Sequence, residues 1–157
     1  MNKNVLYLVG TSGSGKTSLA RSLEKRGFNW IRGAVSRPAC LDPFKRHVII
    51  GEPQFARNAL GEGLLVVVLW AHPLNVRERL AKRGYETDRI DQLLTKEVAE
   101  LNGFAEYARE DALLSEWLED GPTARARLRY RFAVCRNDTY WDRSQIIDFI
   151  EQEVVFD

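Results

Sequence analysis

The sequence predicts an α/β fold, a three-layer sandwich in which helices cover both faces of a parallel sheet. Three observations carry that expectation. Short, mostly apolar runs recur along the chain, at Val5 to Val9, His47 to Ile50, Leu64 to Trp70 and Tyr130 to Cys135. Segments with apolar residues at helical spacing separate them. A glycine-rich turn joins the first run directly to a helix. Strands buried on both faces read as continuous apolar runs, and alternation with helices implies parallel pairing.

Val5-Leu6-Tyr7-Leu8-Val9 is the first buried strand, and after the turn Thr17 to Arg26 carries Leu19, Ala20 and Leu23 on one helical face before Gly27 stops it. Phe28 to Ile31 is a second strand. The pattern then breaks into a polar loop from Arg32 to Arg46, with Pro38 and Pro43. His47 to Ile50 is the third strand, and a short helix from Pro53 to Leu60 ends at Gly61-Glu62-Gly63. Leu64 to Trp70, rich in valine, is the clearest strand. Pro73 opens a helix over Leu74 to Lys82, stopped by Gly84, and a second helix spans about Asp88 to Leu101. An added helical segment, about 104–127, carries Leu113, Leu114, Trp117 and Leu118 as an apolar stripe, with Gly121-Pro122 as a break. Ser144 to Glu153 is a closing amphipathic helix. No repeat or low-complexity linker interrupts the chain, and 157 residues fit one domain.

Bulk properties exclude little. Lys plus Arg is 23 and Asp plus Glu 22, a net charge of +1 that favours no class of partner. Cys40 and Cys135, the two cysteines, have no metal-like spacing and are expected to be buried thiols. The start has no signal-peptide layout, and the longest apolar run, Leu64 to Ala71, is too short to cross a bilayer. A cytoplasmic protein without membrane partners is expected.

The turn Gly10-Thr11-Ser12-Gly13-Ser14-Gly15-Lys16-Thr17 matches the Walker A phosphate-loop pattern, and it stands where its mechanism requires, between a buried strand and a helix start. Its glycines let backbone N–H groups curl inward toward phosphate oxygens, and the helix N-terminus adds its dipole. Lys16 is expected to reach the β- and γ-phosphates of ATP, and the Thr17 hydroxyl to ligate Mg²⁺. Neither a guanine-recognition motif nor a paired-acid strand end is visible, which points away from GTPases and large ATPases toward a small kinase. Arg79 and Arg83, four apart on one helix, could supply permanent counter-charge to a transferring phosphoryl group. Arg32, Arg37, Lys45 and Arg46 form a basic loop suited to an acceptor phosphate or a nucleic-acid backbone. Glu52, ending the third strand, is a candidate base or Mg²⁺ partner, with Arg57 on the next helix and Asp42 as a weaker alternative. His47, His72, Trp70, Trp117 and Trp141 are expected to be packing or strand-end residues.

On Gly10 to Thr17, Ser36-Arg37-Pro38, Pro73 with Arg79-Leu80-x-x-Arg83-Gly84, and Val134-Cys135-Arg136-Asn137-Asp138, the sequence resembles the nucleoside monophosphate kinases, most closely the guanylate kinase-like branch. The resemblance covers about half the chain and implies a strand order of 2-3-1-4-5. It also implies that Arg37 grips an acceptor phosphate, that Arg79 and Arg83, in lid-like helices over about 74–101, close over the transferring phosphoryl group, and that Arg136 and Asn137 border the donor base. The acceptor-binding domain usual in that branch has no counterpart, since 32–46 is only a loop. The leading expectation is transfer of the γ-phosphoryl of ATP to a nucleoside monophosphate or deoxynucleotide. The alternatives are a hydroxyl acceptor on a sugar or nucleic acid, such as a modified base in DNA, and a non-catalytic nucleotide-binding module. The added segment could replace the missing acceptor cover or form a homodimer surface.

Overall fold

The computed structural model describes residues 3–32, 41–108, 125–126 and 131–155. Five parallel strands form the sheet: β1 (Val5–Gly10), β2 (Asn29–Arg32), β3 (His47–Ile50), β4 (Leu65–Trp70) and, after the two-residue β5 (Arg125–Ala126), β6 (Phe132–Arg136). Their order is β2-β3-β1-β4-β6, so the five parallel strands stand in the expected 2-3-1-4-5 arrangement. The sequence pattern did not signal β5, which pairs antiparallel with β6 at the edge. Two residues are too few to display a period.

The two faces of the sheet bury two cores, and the alternation of β1 shows the division. Leu6 and Leu8 join Leu19 and Leu23 of α1 (Lys16–Glu24) and Ile146 and Ile150 of the last helix, α5 (Tyr140–Glu153). Val5, Tyr7 and Val9 point the other way, toward Ala56, Ala59 and Leu60 of α2 (Ala56–Gly61), and toward Phe104 and Phe132. A single turn of 3₁₀ helix, Pro53–Phe55, leads into α2. Burying these apolar side chains from both layers supplies the driving force, at ~25 cal/mol per Å² removed from water.

After β4 come α3 (Pro73–Lys82) and α4 (Thr87–Ala108). They meet through Val76, Leu80 and Ile90 in a third, small cluster. α4 is longer than the predicted 88–101 and runs without a break through Phe104. Phe104 anchors it, 2% exposed and edge-on to Phe132 with ring centroids 5.4 Å apart. The rest of the segment predicted at 104–127, with Trp117 and its apolar stripe, lies outside the described residues apart from Arg125–Ala126.

α5 begins four residues earlier than predicted. Thr139 caps it, its hydroxyl accepting from Asp142 N while the Asp142 carboxylate accepts from the Thr139 N–H. That capping box outweighs the exposed Tyr140 and Trp141 that make the first turn look unlike a helix. Among the described residues, no helix is long and apolar enough to cross a membrane.

Candidate active site

All five parallel strands end at one edge of the sheet, where ligands of such folds bind. Gly10 to Thr17 leaves β1 there and enters α1. Gly13 and Gly15 have φ of +79° and +98°, a left-handed backbone that side chains rarely adopt. Space adds a second constraint. A Cβ on Gly15 would lie 2.3 Å from Asn137 Nδ2, and one on Gly10 would lie 2.8 Å from the Leu69 carbonyl. The cradle is therefore built for glycine in both dihedral and volume.

Neighbouring elements hold the loop from behind. Asn137, 3% exposed, donates from Nδ2 to the Ser14 carbonyl at 2.8 Å, and its own N–H donates to the Trp70 carbonyl at 2.7 Å. Arg79 donates to the carbonyls of Gly13 at 3.0 Å, Asn137 at 2.9 Å and Asp138 at 3.3 Å. Asp138 accepts from the His72 N–H at 2.7 Å and from Asn75 Nδ2 at 2.9 Å, tying the end of β6 to the start of α3. Arg79 thus satisfies three backbone acceptors and locks α3, the phosphate loop and the β6 end together. Asn137 lies beneath the loop, and Arg136 lies over the Trp70 ring at 4.9 Å with its guanidinium 3.8 Å from Asp138.

Within the loop, Lys16 Nζ donates to the carbonyls of Gly10 at 2.5 Å and Thr11 at 3.3 Å, folded back over the cradle. Burial lowers its pKa, opposed by the charge of Glu97 and reinforced by those of Arg32 and Arg83. Arg83 and Arg32 are therefore within electrostatic reach of Lys16. Arg32, at the end of β2, donates to Thr17 Oγ1 at 2.6 Å, so a cation already stands on the hydroxyl expected to meet Mg²⁺.

A residue the sequence did not single out faces this loop. Glu97, on α4, accepts from the Ser12 N–H at 2.5 Å and from the Ser12 hydroxyl at 2.6 Å. A glutamate inside a long helix is usually solvated, and only the packing of α4 across the loop gives this one a distinct place. Beside it a cavity of about 600 Å³ opens between β4 and the two helices. Val68, Trp70 and Val134 line it from the sheet, Val76 from α3, and Leu94 and Val98 from α4, with Thr11 at its phosphate-loop end.

Two residues of the expected acceptor site and the weaker candidate base lie elsewhere. Lys45, Arg46 and Asp42 precede β3, whose first residue His47 pairs with Val5 and Asn29 at the opposite edge of the sheet. Arg46 donates to the Arg26 carbonyl at 3.0 Å and covers the Phe28 ring at 4.3 Å. The Asp42 carbonyl meets Asn4 Nδ2 at 3.2 Å and His47 Nε2 at 3.0 Å. In a parallel sheet the residues just before a strand stand one strand length, about 13 Å over four residues, from those just after it. That geometry sets Lys45, Arg46 and Asp42 at the edge of the sheet opposite the phosphate loop.

Glu52 is at the correct edge, but its carboxylate is exposed and engaged by Gln54 Nε2 at 2.7 Å. Its carbonyl accepts from the Tyr7 hydroxyl, whose pKa is pushed up to about 12 by burial and then by the Glu52 charge. Arg57 donates to the Gly103 carbonyl at 3.2 Å, six residues or ~9 Å along α4 from Glu97. Arg37 and its Ser-Arg-Pro context lie outside the described residues, as does Cys40. Among the described residues no cluster of three or more His, Cys, Asp or Glu could hold a metal ion. A Mg²⁺ shared with phosphates needs few protein ligands, however, and Thr17 supplies one hydroxyl.

No protein-family model matches the chain. Two curated relatives do, each described as "Putative adenylate kinase". The one from Pyrococcus furiosus is 29% identical over 117 residues, 62% of this chain and 65% of its own length. The one from Pyrococcus abyssi is 29% identical over 116 residues, 61% of this chain and 64% of its own. The chain thus matches less than two thirds of either relative. Among solved structures, an unliganded sugar kinase from Janibacter sp. HTCC2649 aligns over 97% of this chain and 94% of its own, with a TM-score of 0.59 and 13% identity. A Thermus thermophilus protein aligns over 96% and 97% at a TM-score of 0.57, also with 13% identity. The structural likenesses show a fold shared with a solved sugar kinase, and the sequence likeness to the two Pyrococcus proteins is partial.

Proposed function

We propose that this chain binds Mg·ATP on Gly10–Thr17 and transfers its γ-phosphoryl group to a small acceptor. The observation that carries the reading is the cradle itself. Two left-handed glycines and a buried asparagine shape it, and Lys16 is held over it by the Gly10 and Thr11 carbonyls. Backbone N–H groups would take the phosphate oxygens, and Lys16, released from those carbonyls, would meet the β- and γ-phosphates. Arg83 adds a permanent charge near Lys16 as negative charge spreads over the transferring group. Thr17 is the side chain suited to Mg²⁺, which supplies charge neutralisation on the phosphates when bound. Holding the ion there would require Arg32 to give up its bond to that hydroxyl.

Two acceptor classes remain in play. The relatives' description favours a nucleoside monophosphate, and Arg37 before Pro38 would suit its phosphate. A hydroxyl acceptor is the second reading, and Glu97 at the loop favours it, because a carboxylate there repels a phosphate dianion and can take a hydroxyl proton. The test is ADP release from Mg·ATP across nucleosides, sugars, nucleoside monophosphates and DNA. A rate stimulated by one acceptor and abolished in Lys16→Ala is expected. Undiminished transfer by that variant would overturn the donor site.

A further inference from the structure

Glu97 does not itself line the cavity, but it neighbours residues that do. The cavity begins at Thr11, next to Ser12, and its α4 wall is made by Leu94, Thr95 and Val98, which surround Glu97 on the helix. The lining is mostly apolar, and its size falls within the ~300–1,000 Å³ typical of small-molecule sites. Arg77, the cation in the wall, is already ion-paired with Asp91. Its apolar lining is therefore suited to a ring, and Glu97, bonded to Ser12 next to Thr11, stands just beyond its phosphate-loop end.

That carboxylate is well held. Ser12 fixes both oxygens, through its N–H at 2.5 Å and its hydroxyl at 2.6 Å. A carboxylate offers about four lone-pair positions, so two bonds from Ser12 leave room for another proton. The charge of Glu97 also acts on Lys16, the side chain expected to meet the β- and γ-phosphates. A monophosphate acceptor is already anionic and needs no base, and here it would meet Glu97 as a like charge. A neutral hydroxyl needs one, and would meet none of that repulsion.

We infer that the acceptor is a neutral, hydroxyl-bearing molecule of about nucleoside size, seated in the cavity between β4 and α4 with its hydroxyl at Glu97. This deepens the phosphotransferase reading above and rests on it. The acceptor oxygen forms a bond to the γ-phosphorus of ATP as the bond from that phosphorus to the β,γ-bridging oxygen breaks. The electron pair of that broken bond stays on ADP. The hydroxyl proton passes to the Glu97 carboxylate and from there to solvent, so the products are a phosphate monoester and ADP.

Two variants and a paired set of acceptors test the inference. The ribo- and deoxynucleosides are each assayed beside their own 5′-monophosphate, and ATP binding is measured separately by calorimetry. Glu97→Gln keeps an acceptor oxygen for the Ser12 N–H but cannot serve as a base. It is expected to bind ATP within about threefold of wild type while kcat with a nucleoside falls about 10²- to 10⁴-fold. Val98→Trp fills the cavity from a position 44% exposed, so the fold has room for it. It is expected to raise the KM for the nucleoside at least about tenfold and to leave ATP binding unchanged.

Stimulation by monophosphates alone, by no nucleoside at all, or an unchanged kcat in Glu97→Gln would overturn the inference. Equal loss of ATP binding and turnover in Glu97→Gln would reduce Glu97 to a support for the loop and also overturn it. Failure of the wild-type chain to bind ATP would instead sink the donor reading beneath it.

Discussion

At the residue scale, the phosphate-loop pattern is a sequence statement that the tertiary structure explains in terms of space. Gly15 is required twice, by its φ of +98° and by Asn137 Nδ2 lying 2.3 Å from where a Cβ would be. Asn137 was legible as a residue of interest from its place after the last strand. Its partner, the Ser14 carbonyl, was not legible, because the two are 123 residues apart in sequence. Cys135 was expected to be a buried thiol, and burial pushes its pKa up to about 12 from 9.0. The folded chain therefore holds the proton more tightly than the unfolded one. The contribution is fully present below pH 9 and is lost as pH rises through the window from 9 to about 12. Thermal unfolding followed from pH 8.5 upward should show wild type losing stability more steeply than Cys135→Ala. Parallel slopes would contradict the burial of this thiol.

At the element scale, α3 and α4 behave differently toward the loop. Arg79 spends its guanidinium on three backbone carbonyls, whereas Arg83 is exposed at the end of α3 and is felt at Lys16 only through its charge. Truncating Arg79 leaves part-buried carbonyls without a donor, at about 1–3 kcal/mol. Arg79→Ala should therefore lower the melting temperature of the ligand-free protein and weaken ATP binding. Arg83→Ala should leave the melting temperature nearly unchanged and reduce kcat. Equal melting temperatures for the two variants would refute the distinction.

α4 depends on Phe104, which packs edge-on against Phe132. Phe104→Ala should cost about 3–5 kcal/mol in denaturant unfolding. Because the same helix carries Glu97, a lesser variant such as Phe104→Leu should disturb turnover more than ATP binding. Helix spacing predicted that α4 exists. Its full length came from the anchoring of Phe104, a contact between distant segments that no local period encodes.

At the scale of the whole molecule, the direction of the sheet decides which residues can meet. Every parallel strand begins at one edge and ends at the other, so Arg32, ending β2, and Arg46, just before β3, stand at opposite edges. Arg32 reaches Thr17 at 2.6 Å, while Arg46 reaches Arg26 on the far side. Four cations in one stretch looked like a single basic site, and at least two of them are placed away from it. Lys45→Ala is accordingly expected to leave kcat, KM and ATP affinity within about twofold of wild type, since exposed surface changes away from a site are nearly neutral. A tenfold loss of acceptor affinity would return Lys45 to the substrate site.

The sequence by itself determined the layered α/β class, the strand sequence and the phosphate loop, because each is written in local signals. Apolar runs set strands, helical spacing sets helices, and the loop's glycines, lysine and threonine work as neighbours along one short stretch. Tertiary structure alone decided what faces that loop. It brought Asn137 and Arg79 beneath it, set Arg32 on Thr17, turned Lys45 and Arg46 away, and delivered Glu97 from a helix 85 residues further on. The physical reason is that such a site is assembled where strand ends and helix faces converge. Convergence depends on the packing of apolar faces far apart in the chain, which no single stretch of residues records.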